Sequence, residues 1–331
     1  MKRIGMLTSG GDCQALNAAM RGVVKGLSEN VDELEVYGFL NGYKGLIYGD
    51  YRLLTSADFS GILTKGGTIL GSSRQPFKQM RVPDANGLDK VEAMKATYHK
   101  LNLDCLVILG GNGTQKTANL LREEGLNIIH LPKTIDNDIY GTDVTFGFQS
   151  AINIATDCID CIHTTAASHN RVFIVEVMGH TAGYLALNSA IATGSEAAII
   201  PEMDTEVDQL AELINHGFRK SKNSAIVIVA ENPKTGGATA LAERVKKEFP
   251  QYDARVTILG HIQRGGSPTA VDRILASRMG EAAIEAFLDE QRNVMIGTMN
   301  GKIVYVPFAK AVKHDKGIDR KDLELVKILS I

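Results

Sequence analysis

The 331-residue sequence lacks the features that mark disulfide-rich, Pro-rich and membrane-spanning proteins. It contains only 4 Cys and 8 Pro, which is too few for a disulfide framework or a Pro-rich linker. No apolar run reaches the roughly 18 residues that a membrane-spanning helix needs. The formal net charge is -2, so no overall field attracts nucleic acid or an anionic membrane. We therefore expect neither as a partner, and an anionic ligand must bind at a local site.

Two of the cysteines, Cys158 and Cys161, form a C-x-x-C within AINIATDCIDCIH. The apolar residues of this segment recur at helical spacing, no second cysteine pair completes a zinc site, and no thioredoxin-like strand precedes it. We interpret both as packing thiols of a helix rather than as redox or metal-binding groups. The N-terminal MKRIGMLTSGGD leads directly into a predicted strand, without the apolar segment of a secretory signal. We expect a reduced, cytoplasmic protein.

Short apolar runs alternate with amphipathic segments along the whole chain. The predicted strands are KRIGMLTS, ELEVYGF, CLVILGG, LNIIHLP, RVFIVEVMG, AAIIPE, SAIVIVAE and RVTILGHI. Most are continuously apolar, which is typical of parallel strands buried on both faces. Helical segments such as QKTANLLREEG lie between them, so the pattern predicts a doubly wound α/β fold. Because there are too many strands for one sheet, we assign residues 1–147 plus about 263–312 to one domain and 148–262 plus 313–331 to another.

Three Gly-rich segments, TSGGDCQALNAA, GGTILGSSRQP and ILGGNGTQKTA, recur in the first half of the chain. In open parallel sheets, ligands bind at the carboxyl ends of the strands, where the first and third of these segments lie. Gly10 and Gly11 allow the backbone to approach a ligand, and the N–H groups of the following helix suit a phosphate. None of the segments is a P-loop or a G-x-G-x-x-G motif, and each alone is also compatible with a plain tight turn. Together they favour a polyphosphate.

The segment PKTIDND places Asp136 and Asp138 directly after a predicted strand. Two carboxylates at this spacing can take separate roles, one on Mg²⁺ and one accepting a proton from an attacking hydroxyl. The structural alternative is an Asx turn with helix-capping aspartates.

Arginine and histidine residues flank the strands of the second half. Arg171 and Arg255 precede strands, so they lie at the end opposite to a site in their own sheet. Either they form ion pairs there or they bind a substrate held by a neighbouring subunit. His261 and Arg264 follow a strand and open a Gly turn, so they face a ligand-binding edge more naturally.

The motifs TSGGD, GGTILGSSR, GGNGT, PKTIDND, SHNRVFIVEVMG and GHIQRGGSPTAVDR, in this order and across nearly the whole chain, resemble those of the phosphofructokinase family. The resemblance implies two Rossmann-like three-layer α/β/α domains with mostly parallel sheets. It implies Mg²⁺-dependent transfer of the ATP γ-phosphoryl group to the 1-hydroxyl of fructose 6-phosphate. It also implies a homotetramer whose active sites are shared between subunits, with Arg171 and Arg255 reaching the 6-phosphate of the adjacent one.

The resemblance assigns roles to residues of the candidate site. Asp136 resembles the general base, Asp138 supports it and the metal, and Thr134 contacts the sugar or the moving phosphoryl group. The donor site is identified as Gly11, Tyr43 (beside the adenine), Arg74, Gly111, Asn112, Gly113, Thr114 and Lys133. The sugar-phosphate pocket is identified as Arg171, Met178, Gly179, Glu231, Arg255, His261 and Arg264. A possible effector site comprises Arg21, Lys25, His163, Glu196, Lys220 and Lys222.

Four positions depart from the usual pattern of the short bacterial members. Asn112 replaces a metal-associated aspartate. It can contact Mg²⁺ through a water molecule but carries no charge, so we expect the ion to be held more loosely. His180 replaces an arginine of the catalytic set and offers less dependable charge near neutral pH. Gln14 and Ala15 replace a Pro-Gly, which stiffens or reshapes the first loop. Apart from these four departures, the effector cluster has His163 at an arginine position, so we predict a weakened or altered effector response.

The fourth departure, Lys133 in place of glycine, bears on the phosphoryl donor. Pyrophosphate-using members carry a lysine at this position together with an aspartate that blocks the nucleotide α-phosphate. Here that second position is Gly113, which leaves room, so we favour ATP and keep pyrophosphate as the alternative donor.

Two alternative hypotheses assign the chain to other functional classes. Asn112 and His180 suggest a non-catalytic sugar-phosphate and nucleotide-binding paralogue, against which Asp136, Asp138 and Arg74 argue. Gly-rich turns also suit a dehydrogenase, but the G-x-G-x-x-G motif and its ribose-binding acid are absent from the sequence.

Overall fold

The structure is a computed structural model that describes residues 1–166, 168, 171–203, 224–232 and 236–329. The chain separates into two compact units. The first unit comprises Met1–Thr134, Asp138–Gln149 and Arg264–Lys316, and the second comprises Ile135–Asn137, Ser150–Gln263 and Gly317–Ile331. The predicted domain boundaries at residues 147, 263 and 312 lie a few positions from these bounds.

Strands and helices alternate along most of the chain. The strands are β1 (Lys2–Ser9), β2 (Leu34–Phe39), β3 (Tyr51–Leu54), β4 (Cys105–Gly110), β5 (Ile128–Thr134), β6 (Phe146–Gly147), β7 (Arg171–Val177), β8 (Ala197–Ile199), β9 (Ser224–Ala230), β10 (Asp253–Ile258), β11 (Val294–Met299) and β12 (Lys302–Pro307). The α-helices of the described residues are α1 (Leu16–Asn30), α2 (Tyr43–Tyr48), α3 (Lys90–Lys100), α4 (Asn112–Glu123), α5 (Phe148–Ala166), α6 (Tyr184–Thr193), α7 (Gly237–Glu248), α8 (Ala270–Leu288), α9 (Phe308–Ala311) and α10 (Arg320–Leu329).

The sheet of the first unit has the order β12-β11-β5-β4-β1-β2-β3, with β6 paired to β5. Its central strands run parallel, and only the edge strands β3 and β12 pair antiparallel with their neighbours. All residues of β4 and β5 are buried, because helices cover both faces of such a sheet and a continuously apolar strand has no solvated side. Helix α1 packs along α8 on this sheet.

The described strands of the second unit form a four-stranded parallel sheet of order β10-β7-β9-β8. The core of this unit includes Val172, Ile174, Val227 and Val229, on the two central strands. Strand β10 lies at an edge, and its Val256 and Ile258 are 39% and 56% exposed. The α/β class with mostly parallel sheets, predicted from the alternation, is confirmed.

The C-x-x-C segment lies in α5, as the helical spacing predicted, and the four cysteines are free thiols. Cys13 and Cys105 are buried, Cys158 is half-buried and Cys161 is exposed. Across the described part of the chain, no helix combines the length and the apolar character needed to cross a membrane.

Candidate functional site

The Gly-rich segments of the first unit lie together at the carboxyl edge of its sheet. Ser9 at the end of β1 pairs with Gly110 at the end of β4, which pairs in turn with Pro132 of β5. The segment 65–73 reaches the same edge because buried Asn17 donates to the Lys65 carbonyl at 3.0 Å and accepts from the Ile69 N–H at 2.9 Å. Side chains at this edge therefore converge on one region although they come from segments far apart in the sequence.

Gly11 lies in a turn that requires glycine at the preceding position, Gly10. The carbonyl groups of this turn accept hydrogen bonds. Gly10 has a positive φ of 85° and donates its N–H to the Ser73 carbonyl at 3.2 Å. The ammonium of Lys133 donates to the Gly11 carbonyl, and the guanidinium of Arg264 donates to the Asp12 carbonyl at 3.0 Å. Lys133, predicted to face the phosphoryl donor, and Arg264, predicted to face the sugar phosphate, are both engaged with this turn.

The amino end of α4 brings the next group of predicted residues to this edge. Gly111 precedes the helix, and Asn112 Nδ2 donates to Asp138 Oδ2 at 2.7 Å. A Cβ built on Gly113 meets no atom within 4 Å, so space is open at that position. Because Asn112 is neutral, its amide can bind the Asp138 carboxylate directly, which a second carboxylate would repel.

Tyr43 is fully buried and donates its hydroxyl to the Thr114 carbonyl at 2.8 Å. Burial raises the pKa of this phenol well above its ordinary value. The hydroxyl therefore anchors the first turn of α4, and the buried ring offers no exposed face to a nucleotide. Arg74, by contrast, is exposed, and among the described residues its guanidinium has no hydrogen bond or ion pair. It is therefore available to an anionic ligand.

The two carboxylates of the IDNDI segment alternate with buried residues. Ile135 and Ile139 are fully buried, Asp136 and Asp138 between them are half-buried, and Asn137 has a left-handed φ of 54°. Residues 135–137 group with the second unit, and Asp138 groups with the first. Thr134 at the end of β5 is 7% exposed, and its carbonyl accepts from Thr145.

A strained turn follows β7 in the second unit. Gly179 has a φ of 149°, and a Cβ there would lie 2.3 Å from the Ala182 carbonyl oxygen, so only glycine fits. His180 also has a positive φ, 56°, is exposed, and donates its backbone N–H to Glu231 Oε1 at 3.1 Å. Met178 is buried, and its N–H donates to Gln263. His261 is exposed.

Arg171 and Arg255 meet at the amino ends of β7 and β10. Arg171 Nε donates to Asp253 Oδ2 at 2.9 Å, and Arg255 Nη2 donates to the same oxygen at 3.0 Å. The hydrogen bond from Arg171 and the charge of Arg255 lower the pKa of Asp253. Sequence reasoning did not identify Asp253. The parallel register that pairs it with Arg171 is the signal that locates it.

Two of the predicted effector residues, Lys25 and Glu196, form hydrogen bonds within the described part of the chain. Lys25 Nζ donates to Ser56 Oγ at 2.6 Å, and Glu196, which is 5% exposed, accepts from the Ile226 N–H at 2.6 Å. Arg21 and His163 are half-buried. Lys220 and Lys222 lie outside the described residues.

Comparisons with known proteins give one consistent result. A family model described as "Phosphofructokinase" matches residues 3–287. The chain is 54% identical to "ATP-dependent 6-phosphofructokinase 2" of Bacteroides thetaiotaomicron, over 100% of this chain and 99% of that protein. It is 43% identical to "ATP-dependent 6-phosphofructokinase 1" of Thermus thermophilus, over 100% of both chains.

Solved structures agree with the sequence relatives. Phosphofructokinase from Saccharomyces cerevisiae superposes with a TM-score of 0.84 at 33% identity, covering 95% of this chain and 45% of that one. A pyrophosphate-dependent phosphofructokinase from Marinobacter aquaeolei superposes with a TM-score of 0.81 at 22% identity, covering 99% and 91%, and shows the shared fold alone.

Proposed function

The chain belongs to the phosphofructokinase family, and from that premise we propose that it transfers the γ-phosphoryl group of ATP to the 1-hydroxyl of fructose 6-phosphate. Relatives that span its full length at 42–54% identity bear the name ATP-dependent 6-phosphofructokinase. One feature of the first unit supports this activity most directly. The turn at Gly10 and Gly11, the open amino end of α4 and the Asp138 carboxylate lie at the same edge of one sheet, as polyphosphate transfer requires.

ATP is a better candidate donor than pyrophosphate on the geometry of two residues. The space beside Gly113 is open, so nothing on that side chain excludes a nucleotide. Lys133 is 3% exposed and bound to the Gly11 carbonyl, so its charge serves the turn. The pyrophosphate-dependent structures share the fold at 21–22% identity and carry no argument about the donor.

In this reaction Asp136 would accept the proton of the sugar 1-hydroxyl as the oxygen attacks the phosphorus. Asp138, held by Asn112, would stay ionised next to it, and Arg74 would neutralise charge that develops on the phosphates. Thr134 would contact the transferred group, and His180 would supply the donor that an arginine gives in most short members of the family. Phosphoryl transfer depends mainly on such positioning and charge stabilisation.

Mg²⁺ fits the oxygen ligands at Asp138 and Asn112. Among the described residues, no group of three or more His, Cys, Asp or Glu side chains is placed to hold a metal. Mg²⁺ in phosphoryl-transfer sites is held by one or two carboxylates together with phosphate and water, so a lone carboxylate with an amide beside it is sufficient. Asp138 would hold the ion directly and the Asn112 amide oxygen through water, and the ion would neutralise phosphate charge.

A homotetramer with shared sites is supported by the edge strand of the second unit. Two guanidinium groups face a single carboxylate at Asp253, which leaves net positive charge beside the exposed Val256 and Ile258 of β10. Apolar and cationic groups on an edge strand suit contact with a second copy that holds a phosphate. Cytoplasmic location follows from the glycolytic role. An effector bound between subunits by residues such as Lys25 and Glu196 would act weakly or differently.

A donor assay tests the function. Purified protein with saturating fructose 6-phosphate and Mg²⁺ should form fructose 1,6-bisphosphate with ATP and not with pyrophosphate. Asp136→Ser should lower kcat by about 10²- to 10⁴-fold, the usual contribution of a general base, while fructose 6-phosphate still binds. Turnover with pyrophosphate alone would reverse the assignment of the donor. Binding of both ligands without turnover would identify a non-catalytic paralogue.

A further inference from the structure

Three consecutive carbonyl groups of the turn after β1 each accept a hydrogen bond from a side chain. We call residues 10–12, Gly10, Gly11 and Asp12, the donor loop. Ser72 Oγ donates to the Gly10 carbonyl at 2.5 Å, Lys133 Nζ to the Gly11 carbonyl, and Arg264 Nη1 to the Asp12 carbonyl at 3.0 Å. Two of these three donors are cations.

Fixing these carbonyls also fixes the N–H groups of the loop. The C=O and N–H of a planar trans peptide point in opposite directions. When the carbonyls of residues 10, 11 and 12 face Ser72, Lys133 and Arg264, the N–H groups of residues 11, 12 and 13 face the other way. N–H groups of a Gly-rich loop before a helix can bind phosphate oxygens, and charged donors on the carbonyls polarise the N–H groups of the same peptides further.

Lys133 is buried in a way that suits a role in the loop. It is the penultimate residue of the fully buried strand β5, is 3% exposed, and would be costly to bury without a polar partner. Its neighbour Cys13 follows the donor loop directly and is fully buried, with its thiol donating to the Phe146 carbonyl at 3.6 Å. A lysine held there contributes to the loop whether or not a ligand is bound.

We propose that Lys133 is a positioning residue, which orients the N–H groups of the donor loop towards the nucleotide phosphates by binding the Gly11 carbonyl. Under this proposal it does not select between ATP and pyrophosphate. The proposal rests on the proposed ATP-dependent function. It assigns to the chain a backbone phosphate cradle supported from behind by Ser72, Lys133 and Arg264.

Kinetics of three variants provide the first test. Lys133→Met keeps most of the length of the side chain and removes its donor, so KM for ATP should rise about tenfold or more, the usual effect of losing one charged hydrogen bond. KM for fructose 6-phosphate should stay within about twofold, and pyrophosphate should remain unused. Lys95→Met, which removes a lysine ion-paired with Glu92 and Glu124 in the same unit, is the matched control and should leave both constants unchanged. Lys133→Ala should regain ATP affinity when propylammonium is added, because the amine can occupy the vacated position.

Cysteine reactivity provides a second test that needs no catalytic activity. Cys13 and Cys105 are both 0% exposed, and burial raises the pKa of each thiol to about 12, so neither should react in the wild-type protein. In Lys133→Met the donor loop should open, and N-ethylmaleimide should label Cys13 but not Cys105, as peptide mass mapping can show. ATP should slow this labelling. Labelling of both residues would indicate general unfolding instead.

The outcomes separate the two proposals. An unchanged KM for ATP together with an unreactive Cys13 in Lys133→Met would overturn the positioning role. Gain of pyrophosphate use in that variant would show that Lys133 selects the donor. A wild-type protein that turns over no ATP would refute the proposed function, yet labelling of Cys13 alone in Lys133→Met would still support the loop contact.

Discussion

At the scale of single residues, the neighbours of each charged side chain in the candidate site determine whether its charge is balanced. Asn112 donates to Asp138 at 2.7 Å, so the amide stabilises an ionised carboxylate where a second carboxylate would repel it. Lys133 and Arg264 donate hydrogen bonds to carbonyls of the donor loop. At this edge the two cations therefore bind backbone carbonyls, and the Asp138 carboxylate binds a neutral amide.

Asn112→Asp should make stability depend more strongly on Mg²⁺. Two carboxylates in contact raise the pKa of one of them and destabilise the metal-free protein, whereas a bound divalent cation neutralises both. We expect the Tm of the metal-free variant to fall by several degrees and added Mg²⁺ to restore it. A loss of 1 kcal/mol lowers the Tm of a small domain by about 4–8 °C, and that of a longer chain such as this one by less. Thermal unfolding with Mg²⁺ and with chelator measures this.

The control is Asn119→Asp on the same helix, whose amide donates to Glu123 at 3.0 Å. It creates a similar pair of carboxylates away from the site, so its Tm should not respond to Mg²⁺ more than that of the wild type. Equal Mg²⁺ responses in the two variants would argue against a metal at Asp138.

His130 should make the fold sensitive to acid. It is fully buried in β5, and burial lowers its pKa to about 3 from an ordinary value near 6.5. Below pH 6.5 the unfolded chain binds a proton that the folded chain does not, so stability falls until the pH passes the folded pKa near 3. At pH 5 the loss is about 2 kcal/mol.

Denaturant unfolding between pH 7 and pH 5 tests this, with His130→Leu compared with wild type. The leucine variant should lose about 2 kcal/mol less over this range, whatever its stability at pH 7. His99→Leu, at an exposed position of α3, should follow the wild-type curve. Parallel curves for His130→Leu and wild type would contradict the assignment.

At the scale of elements, continuous apolar runs located most of the strands, but not all of them. The strands predicted from continuous apolar runs match β1, β2, β4, β5, β7, β9 and β10 within a few residues, and AAIIPE forms only the three-residue β8. The prediction omitted β3, whose first three residues are exposed, the partly exposed β12, the two-residue β6, and β11, whose first five residues are buried. Edge strands are solvated on more than one side, so burial leaves a weaker trace in their sequence.

Substitutions of Gly113, at the amino end of α4, should separate steric from electrostatic effects on the use of ATP. A Cβ at Gly113 meets nothing within 4 Å, so both Gly113→Ala and Gly113→Asp should fold with a Tm near wild type. The alanine variant should keep its activity with ATP, because a methyl group fills little of the open space. The aspartate variant should lose kcat/KM for ATP by about a hundredfold or more, the effect of about 2.7 kcal/mol of repulsion from the phosphates.

Steady-state kinetics with ATP and pyrophosphate measures both variants. Gly110→Ala is the contrasting case, because its Cβ would lie 2.3 Å from the Thr114 side chain and should destabilise the fold. Full activity of Gly113→Asp with ATP would show that the nucleotide does not pass this residue.

At the scale of the whole molecule, the proposed assembly predicts that subunits complete one another's sites. Arg255→Ala retains its own Asp136, and Asp136→Ser retains its own Arg255. If Arg255 serves the neighbouring subunit, then mixed oligomers of the two variants contain sites with both groups. Co-expressed variants should recover a low KM for fructose 6-phosphate and a measurable part of wild-type kcat.

The control mixes Arg255→Ala with the double variant Asp136→Ser/Arg255→Ala, in which no site can regain an arginine. Light scattering checks that every mixture keeps the same oligomeric mass. Activity of the first mixture that equals the sum of its separate components would place Arg255 in the site of its own chain.

The sequence by itself determined the α/β class, the parallel strands and the Gly-rich turns, because burial periodicity and glycine conformations are local properties of the chain. It also supplied the motif residues at the strand ends. Only the tertiary structure decided their partners: Lys133 meets the Gly11 carbonyl 122 positions away, Tyr43 is buried beneath Thr114, and Asp253 bridges two arginines. These contacts depend on the register between strands that are distant in sequence, which no local pattern encodes.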